Sequence, residues 1–131
     1  MPEQPHEHLG IAFSRKRASV LIYKSTLRAL GKPNYVRILP NPSRKRIALQ
    51  VCAKQEMGAI HIPKKNMKGK SVIICSLVIQ RILWEIGEWH KNSNYRIYGT
   101  LFHKNEIVEF LLSDAEVISD EDFIDPECEK T

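Results

Sequence analysis

Basic residues are the first feature of this sequence that could do chemistry. They fall in a loop, in a short helical segment and in a turn: Arg15, Lys16, Arg17, Lys24, Arg28, Lys32, Arg44, Lys45 and Arg46. Long cationic side chains on one surface contact phosphates, and Arg can also pair with guanine through two hydrogen bonds. We therefore predict DNA contact through a basic face. The alternative is a solvated basic surface without a ligand.

The charge of the chain is strongly polarised. Its formal net charge is +5, but residues 14–70 hold 15 Lys and Arg against one acid, and residues 71–131 hold 5 against 12. Such a polarised chain either presents a polyanion-binding half or neutralises its two halves against each other in the fold.

The acidic end of the chain is the second candidate site. Its charged and aromatic residues include Asp120, Glu121, Asp122 and Phe123. A segment of this kind can bind a protein partner, can fold back on the basic half and screen it, or can act as a solubilising tail. We consider the last of these the default interpretation.

Other motifs do not support catalysis or a metal site. Gly69 to Ser71 lacks the glycine that a phosphate-binding loop needs five residues earlier, where Lys64 stands. His6 and His8 lie near the chain end, and the other histidines have no ligand-like spacing. We find no Ser-His-Asp or Cys-His arrangement, so we predict a protein that is not an enzyme and has no cofactor or metal.

The cysteines and the apolar segments predict a soluble, cytoplasmic protein. Cys52, Cys75 and Cys128 are far apart and odd in number, which argues against a disulfide framework. The longest nearly apolar run, Val72 to Ile79, is too short to cross a bilayer. We expect no membrane partner.

Two similar units account for most of the chain. The first has a strand at Ser19 to Tyr23, a helix of about two turns capped by Ser25 and stopped at Gly31, and strands at 35–39 and 46–53. The second has a strand at 72–74, a longer helix at 76–86, and strands at 95–102 and 107–112.

Spacing supports a duplication. Tyr35 and Ile47 are twelve residues apart, and so are Tyr95 and Ile107. We predict an α+β fold in which tandem pseudo-duplicated β-α-β-β units form one compact β-rich domain with two helices. The parts are a flexible N-terminus at 1–13 with a short strand from Leu9, a first unit at 14–53, a basic connector at 54–70, a second unit at 71–112 and an acidic tail at 113–131.

The first unit resembles the swapped-hairpin DNA-binding family that includes AbrB, MazE and MraZ proteins. Ile22 matches the end of the family's first strand, residues 27–31 match its Leu-Arg-x-Leu-Gly helix, and residues 35–51 match its hairpin. Tyr23 stands where the family usually has Pro. The resemblance implies DNA binding and transcription regulation, with contacts from Arg17, Lys24 and Arg28.

The same resemblance bears on partners. A MazE-like antitoxin carries an acidic segment that binds a toxin, so an antitoxin-like protein or a mobile-element inhibitor is the alternative function. The second unit lacks the basic set, and a homodimer of the whole chain would restore the symmetry that a palindromic DNA site requires.

Overall fold

A computed structural model of the chain describes residues 9–63, 72–75, 77–90, 92–102 and 106–124, with backbone alone for residues 72–75, 77, 78 and 124. The elements in chain order are β1 (Gly10–Ser14), β2 (Ser19–Ile22), α1 (Lys24–Ala29), β3 (Tyr35–Asn41), β4 (Arg46–Val51), β5 (Ile60–His61), β6 (Val72–Cys75), α2 (Leu77–Gly87), β7 (Asn94–Tyr98), β8 (Thr100–Phe102), β9 (Ile107–Leu111), β10 (Glu116–Ile118) and α3 (Asp120–Ile124). Within these ranges no helix is long and apolar enough to span a bilayer.

The strands form two antiparallel sheets, which confirms the predicted α+β class. Sheet A has the order β10-β7-β1-β2-β6, and sheet B has the order β5-β3-β4-β9-β8. The first strands of the two units, β2 and β6, pair with each other, as do their last strands, β4 and β9. The described residues include a third short helix, α3, which the sequence did not predict.

One apolar core lies between the sheets and the first two helices. Sheet A supplies Ile11, Phe13, Val20, Ile22, Tyr95 and Ile97; sheet B supplies Val36, Ile38, Ile47, Leu49, Val108 and Phe110; the helices supply Leu27, Leu83 and Trp84. Alternate side chains of each strand point inward, as a half-buried antiparallel sheet requires.

The short strand predicted from Leu9 is confirmed as β1, but it lies at the centre of sheet A and not in a flexible N-terminus. The strand pairs with β2 on one side and β7 on the other, and all five of its residues are buried. Ile11 and Phe13 face the main core, whereas Ala12 faces a second cluster on the other side of the sheet. Burial on both faces removes the polar alternation that marks a strand in a sequence.

Helix α1 has about two turns, as predicted, but it does not begin at the predicted cap. Its N-cap is Tyr23, whose side chain does not cap the helix, and the predicted cap residue Ser25 is buried inside the first turn. The predicted stop at Gly31 is confirmed. Gly31 has a φ of +83°, and the next amide, of Lys32, donates to the Leu27 carbonyl, as a left-handed helix end requires.

The two hairpins are similar but not in the predicted register. The last paired residues are Asn41 and Arg46 in the first hairpin, and Phe102 and Ile107 in the second. Arg46 is therefore equivalent to Ile107, one residue away from the predicted match. The extra residue is absorbed at Gly99, where the chain leaves sheet A for sheet B. A Cβ at Gly99 would lie 2.5 Å from the Glu109 carbonyl oxygen.

The start of the predicted acidic tail is folded against sheet A. Strand β10 pairs with β7 at the edge of the sheet, and α3 follows. Phe123 is 1% exposed and packs in a cluster with Ala12, Leu21, Tyr23 and Ile118. This C-terminal segment therefore covers the outer face of sheet A. Residues 125–131 of the tail and residues 64–70 of the connector lie outside the described residues.

Candidate nucleic-acid interface

The turn between β1 and β2 presents three cations to solvent. Arg15, Lys16 and Arg17 are all exposed. The turn is tight because the Ser14 hydroxyl accepts from the Arg17 amide at 3.3 Å and the Ser19 hydroxyl donates to the Arg17 carbonyl at 2.9 Å. A short, hydrogen-bonded turn fixes the positions from which the three long side chains extend.

Helix α2 supports this turn from inside. The Gln80 side chain is buried, and its Nε2 donates to the Ser19 carbonyl at 2.7 Å. This buried hydrogen bond to the first residue of β2 fixes the position of the helix relative to the strand. The basic turn is thus anchored to both helix and sheet.

A second basic turn joins β3 and β4. Asn41 accepts from the Arg44 amide through its side chain, and Lys45 adopts a left-handed conformation with a φ of 52°. Arg44 and Lys45 are exposed, while Arg46 is half-buried and donates to Glu109 Oε1 at 3.0 Å. The predicted basic turn between the strands at 35–39 and 46–53 is confirmed.

Aromatic contacts place the two turns at the same end of the molecule. The Trp89 ring lies 5.7 Å from Phe13, the residue before Ser14, and stacks on Tyr95 at 4.4 Å between ring centroids. Its neighbour Glu88 lies 3.9 Å from Lys45 Nζ. The first turn is therefore next to the Trp89 ring through Phe13, and the second turn reaches the neighbouring Glu88 through Lys45. We call their six cations the basic end: Arg15, Lys16, Arg17, Arg44, Lys45 and Arg46.

The other three predicted contacts lie elsewhere. Lys24 and Arg28 are on α1, which follows β2 at the end opposite the β1–β2 turn, and Lys32 comes just after this helix. Strand β2 alone separates the two ends by about 10 Å. Arg17 therefore lies at the opposite end of β2 from Lys24 and Arg28, and the three contacts implied by the family resemblance are split between the two ends of this strand.

The acidic helix α3 lies next to the basic end. Asp120 Oδ1 accepts from Asn94 Nδ2 at 2.7 Å, and Asp120 Oδ2 is 3.2 Å from Lys16 Nζ. These two hydrogen bonds, the Asn94 one foremost, together with the charges of Lys16 and Arg17, lower the pKa of Asp120. This geometry agrees with one of the three alternatives for the acidic segment, in which it folds back on the basic half.

The predicted partner-binding residues are not all accessible. Asp120, Glu121 and Asp122 are exposed, but Phe123 is buried under the same helix. A partner could reach Phe123 only by displacing α3. Sequence reasoning missed this because an aromatic among acids has the composition of a tail, and its burial depends on the distant residues Ala12 and Leu21.

The two tryptophans differ in burial. Trp84 lies in the core and is 5% exposed, whereas Trp89 is partly buried. Trp84 Nε1 donates to the His90 carbonyl at 2.9 Å, and the His90 amide donates to the Tyr95 hydroxyl at 2.7 Å. Among the described residues, no three His, Cys, Asp or Glu side chains form a group that could hold a metal.

Comparison with known proteins adds no relative. No family model, no curated protein and no solved structure matches this chain. What the chain does has to be argued from its own residues.

Proposed function

We propose that this chain is a small cytoplasmic DNA-binding protein, without enzymatic activity, that regulates transcription. The basic end contacts the phosphate backbone. The observation that carries the proposal is that two separate turns, one from each sheet, bring six Lys and Arg to one end of the molecule. Cations on turns reach a polyanion without any movement of the fold, and their combined field attracts it from a distance.

The exposure of the cations supports the same proposal. Arg15, Lys16, Arg17, Arg44 and Lys45 keep their side chains in solvent, where they can exchange counterions for phosphates. Within the described contacts, Asp120 screens Lys16 and Glu88 approaches Lys45. Exposed ion pairs of this kind are weak, so a phosphate can replace the carboxylate.

A salt titration of binding tests the proposal. Fluorescence anisotropy with a labelled DNA duplex should show log Kd rising with log salt concentration, with a slope of about 0.9 for each phosphate neutralised. Absence of binding at low salt, or a slope near zero, would overturn DNA binding.

A matched pair of triple variants tests the location. Replacing Arg15, Lys16 and Arg17 by Ala should reduce the salt slope by about two to three units. Replacing Lys24, Arg28 and Lys32 removes the same charge at the other end of β2 and should reduce the slope much less. If the second variant has the larger effect, DNA is bound near α1 and the basic end is the wrong surface.

Asp120→Asn tests the screening by α3. Removing this charge frees Lys16 and makes the basic end more positive, so DNA affinity should rise by about twofold to fivefold at low salt, an effect of the size that one exposed ion pair has. Glu121→Gln removes a charge from an exposed residue of the same helix that has no described bond to a cation, and should change affinity less.

A further inference from the structure

The carboxylate of Asp120 occupies a small polar site beside the basic end. Its Oδ1 accepts from Asn94 Nδ2 at 2.7 Å, and its Oδ2 lies 3.2 Å from Lys16 Nζ. One donor is an uncharged amide and the other is a cation, and each of them bonds to a different oxygen of the same carboxylate. The two donors therefore suit an anion that carries two oxygens on one atom.

Asn94 is the fixed donor of this site. It is the first residue of β7, is 4% exposed, and precedes Tyr95, which faces the main core. In the sheet it is opposite Ser14 on one side and Ile118 on the other. Its side chain therefore lies on the outer face of sheet A, at the end that carries the β1–β2 turn. Because a buried amide needs a hydrogen-bond partner, the site favours an acceptor at this position.

Lys16 is the mobile donor of the site. It is the middle cation of the β1–β2 turn, and its side chain is 63% exposed, while that of Asp120 is 50% exposed. An ion pair exposed to this extent is weak, so another anion can replace the carboxylate. A phosphodiester also has two free oxygens on one atom, and Lys and Asn side chains are both common donors to DNA phosphates. The same two donors therefore fit a phosphate.

Phe123 holds helix α3 over this site. Its side chain is 1% exposed and packs in the cluster that contains Ala12 and Leu21. The helix has only five residues, Asp120–Ile124, and a helix of that length is not stable without packing against the rest of the fold. The position of Asp120 therefore depends on the burial of Phe123, three residues further along the same helix.

We propose that Asp120 and a DNA phosphate compete for the same two donors, Asn94 Nδ2 and Lys16 Nζ, and that Phe123 controls the competition by holding α3 in place. The chain thereby inhibits its own binding, because α3 must leave before a phosphate reaches Asn94. This competition rests on the proposed DNA binding, and it adds Asn94, an uncharged residue, to the phosphate contacts of the basic end. Coupling between two binding events is reciprocal, so loosening α3 strengthens DNA binding and DNA binding loosens α3.

A substitution that changes no charge tests the competition. Phe123→Ala should raise the affinity for a labelled DNA duplex by about threefold or more at low salt, measured by fluorescence anisotropy. Phe110→Ala removes an equally buried ring from the main core, and this matched control should not raise the affinity. Circular dichroism shows that each variant is folded. Equal affinities of wild type and folded Phe123→Ala would overturn the competition alone, whereas no binding by either protein would overturn DNA binding as well.

Hydrogen exchange of the wild-type chain tests the release of α3 without a substitution. The amides of Asp122 and Phe123 donate to the hydroxyl and the carbonyl of Ser119, both at 3.0 Å, so their exchange reports whether the helix is formed. A saturating DNA duplex should speed their exchange and leave that of β10, which pairs with β7, unchanged. Unchanged exchange in α3 at saturation would contradict the competition. Inorganic phosphate at the same total phosphate concentration should have much less effect, and an equal effect would overturn the assignment to DNA.

Asn94→Ala tests whether the donor is shared. In the wild-type background the substitution weakens the bonds of Asp120 and of the phosphate alike, so the DNA affinity should change by less than about twofold. In an Asp120→Ala background only the phosphate loses a donor, and the affinity should fall by about threefold to tenfold, as expected for one hydrogen bond. No loss of affinity by folded Asn94→Ala in the Asp120→Ala background would show that Asn94 binds no phosphate and would overturn the proposal.

Discussion

The two sheets of this chain share one core but differ on their outer faces. Sheet A is covered by the C-terminal segment, in which β10 extends its edge and α3 buries Phe123 against Ala12, Leu21 and Tyr23. Sheet B has Leu39, Phe102 and Leu111 partly in solvent. The C-terminal segment thus covers the outer face of one sheet, whereas apolar side chains on the outer face of the other sheet reach solvent. The stability of the fold should depend more on the side chains of the first face than on those of the second.

The largest effect should come from truncating Phe123, the aromatic side chain by which α3 packs on sheet A. Phe123→Ala removes a fully buried ring and should lower the free energy of unfolding by about 3 kcal/mol, measured by urea denaturation. Phe102→Ala, on the outer face of sheet B and 47% exposed, is the matched control and should cost less than about 1 kcal/mol. Equal losses would mean that the two faces do not differ in this way.

A substitution at Gly99, where the chain passes from sheet A to sheet B, should lower the free energy of unfolding nearly as much. Gly99→Ala places a Cβ against the Glu109 carbonyl oxygen and the Phe110 ring, with contacts of 2.5 and 2.6 Å. Forcing this atom in should cost about 1–3 kcal/mol, measured by thermal or urea denaturation. Gly31→Ala, where no atom lies within 4 Å but φ is +83°, separates the steric cost from the conformational one, and should cost about 1 kcal/mol.

The C-terminal segment that covers sheet A should also make the free energy of unfolding depend on pH. The pKa of Asp120 is lowered by its bonds to Asn94 and Lys16, so its contribution to stability is present above its ordinary pKa of 3.8 and is lost as pH falls through the lower folded-state pKa. Asp120→Asn should be less stable than wild type at neutral pH, and the difference should shrink in acid. Denaturation curves at several pH values measure this. A difference that stays constant into acid would show that the pairing of Asp120 contributes nothing.

The smallest effect should come from breaking the Arg46–Glu109 ion pair on the outer face of sheet B. A double-mutant cycle on Arg46→Ala and Glu109→Ala should give a coupling energy of about 0.2–1 kcal/mol in urea denaturation, since both side chains are partly hydrated. A coupling energy well above about 1 kcal/mol would contradict the partial exposure of this pair.

Local signals explain what could be predicted from the sequence. The turn at Asn41 to Lys45, the helix stop at Gly31 and the alternation of Ile47 and Leu49 depend on neighbouring residues, and the structure shows all three. The exposure of Arg15, Lys16 and Arg17 follows in the same way, since a polar turn joins two apolar strands.

Long-range contacts explain what could not be predicted. Ala12 and Phe123 are buried against each other although they lie at opposite ends of the chain, and neither has a local pattern that reveals it. The separation of Arg17 from Lys24 depends on β2 being fully extended between them. The change of sheet at Gly99 depends on how closely β9 approaches. Each of these depends on tertiary packing, which overrides local preference.

The pairing of β1 has a consequence for synthesis on the ribosome. Residues 10–14 acquire one neighbour from residues 19–22, but the other neighbour is β7, at residues 94–98. At about 5–20 residues per second, the hydrogen-bonding edge of β1 waits on the order of several seconds for its second partner to be made. The nascent chain therefore exposes one unpaired edge of an apolar strand during that interval, and such an edge is prone to pair with another chain.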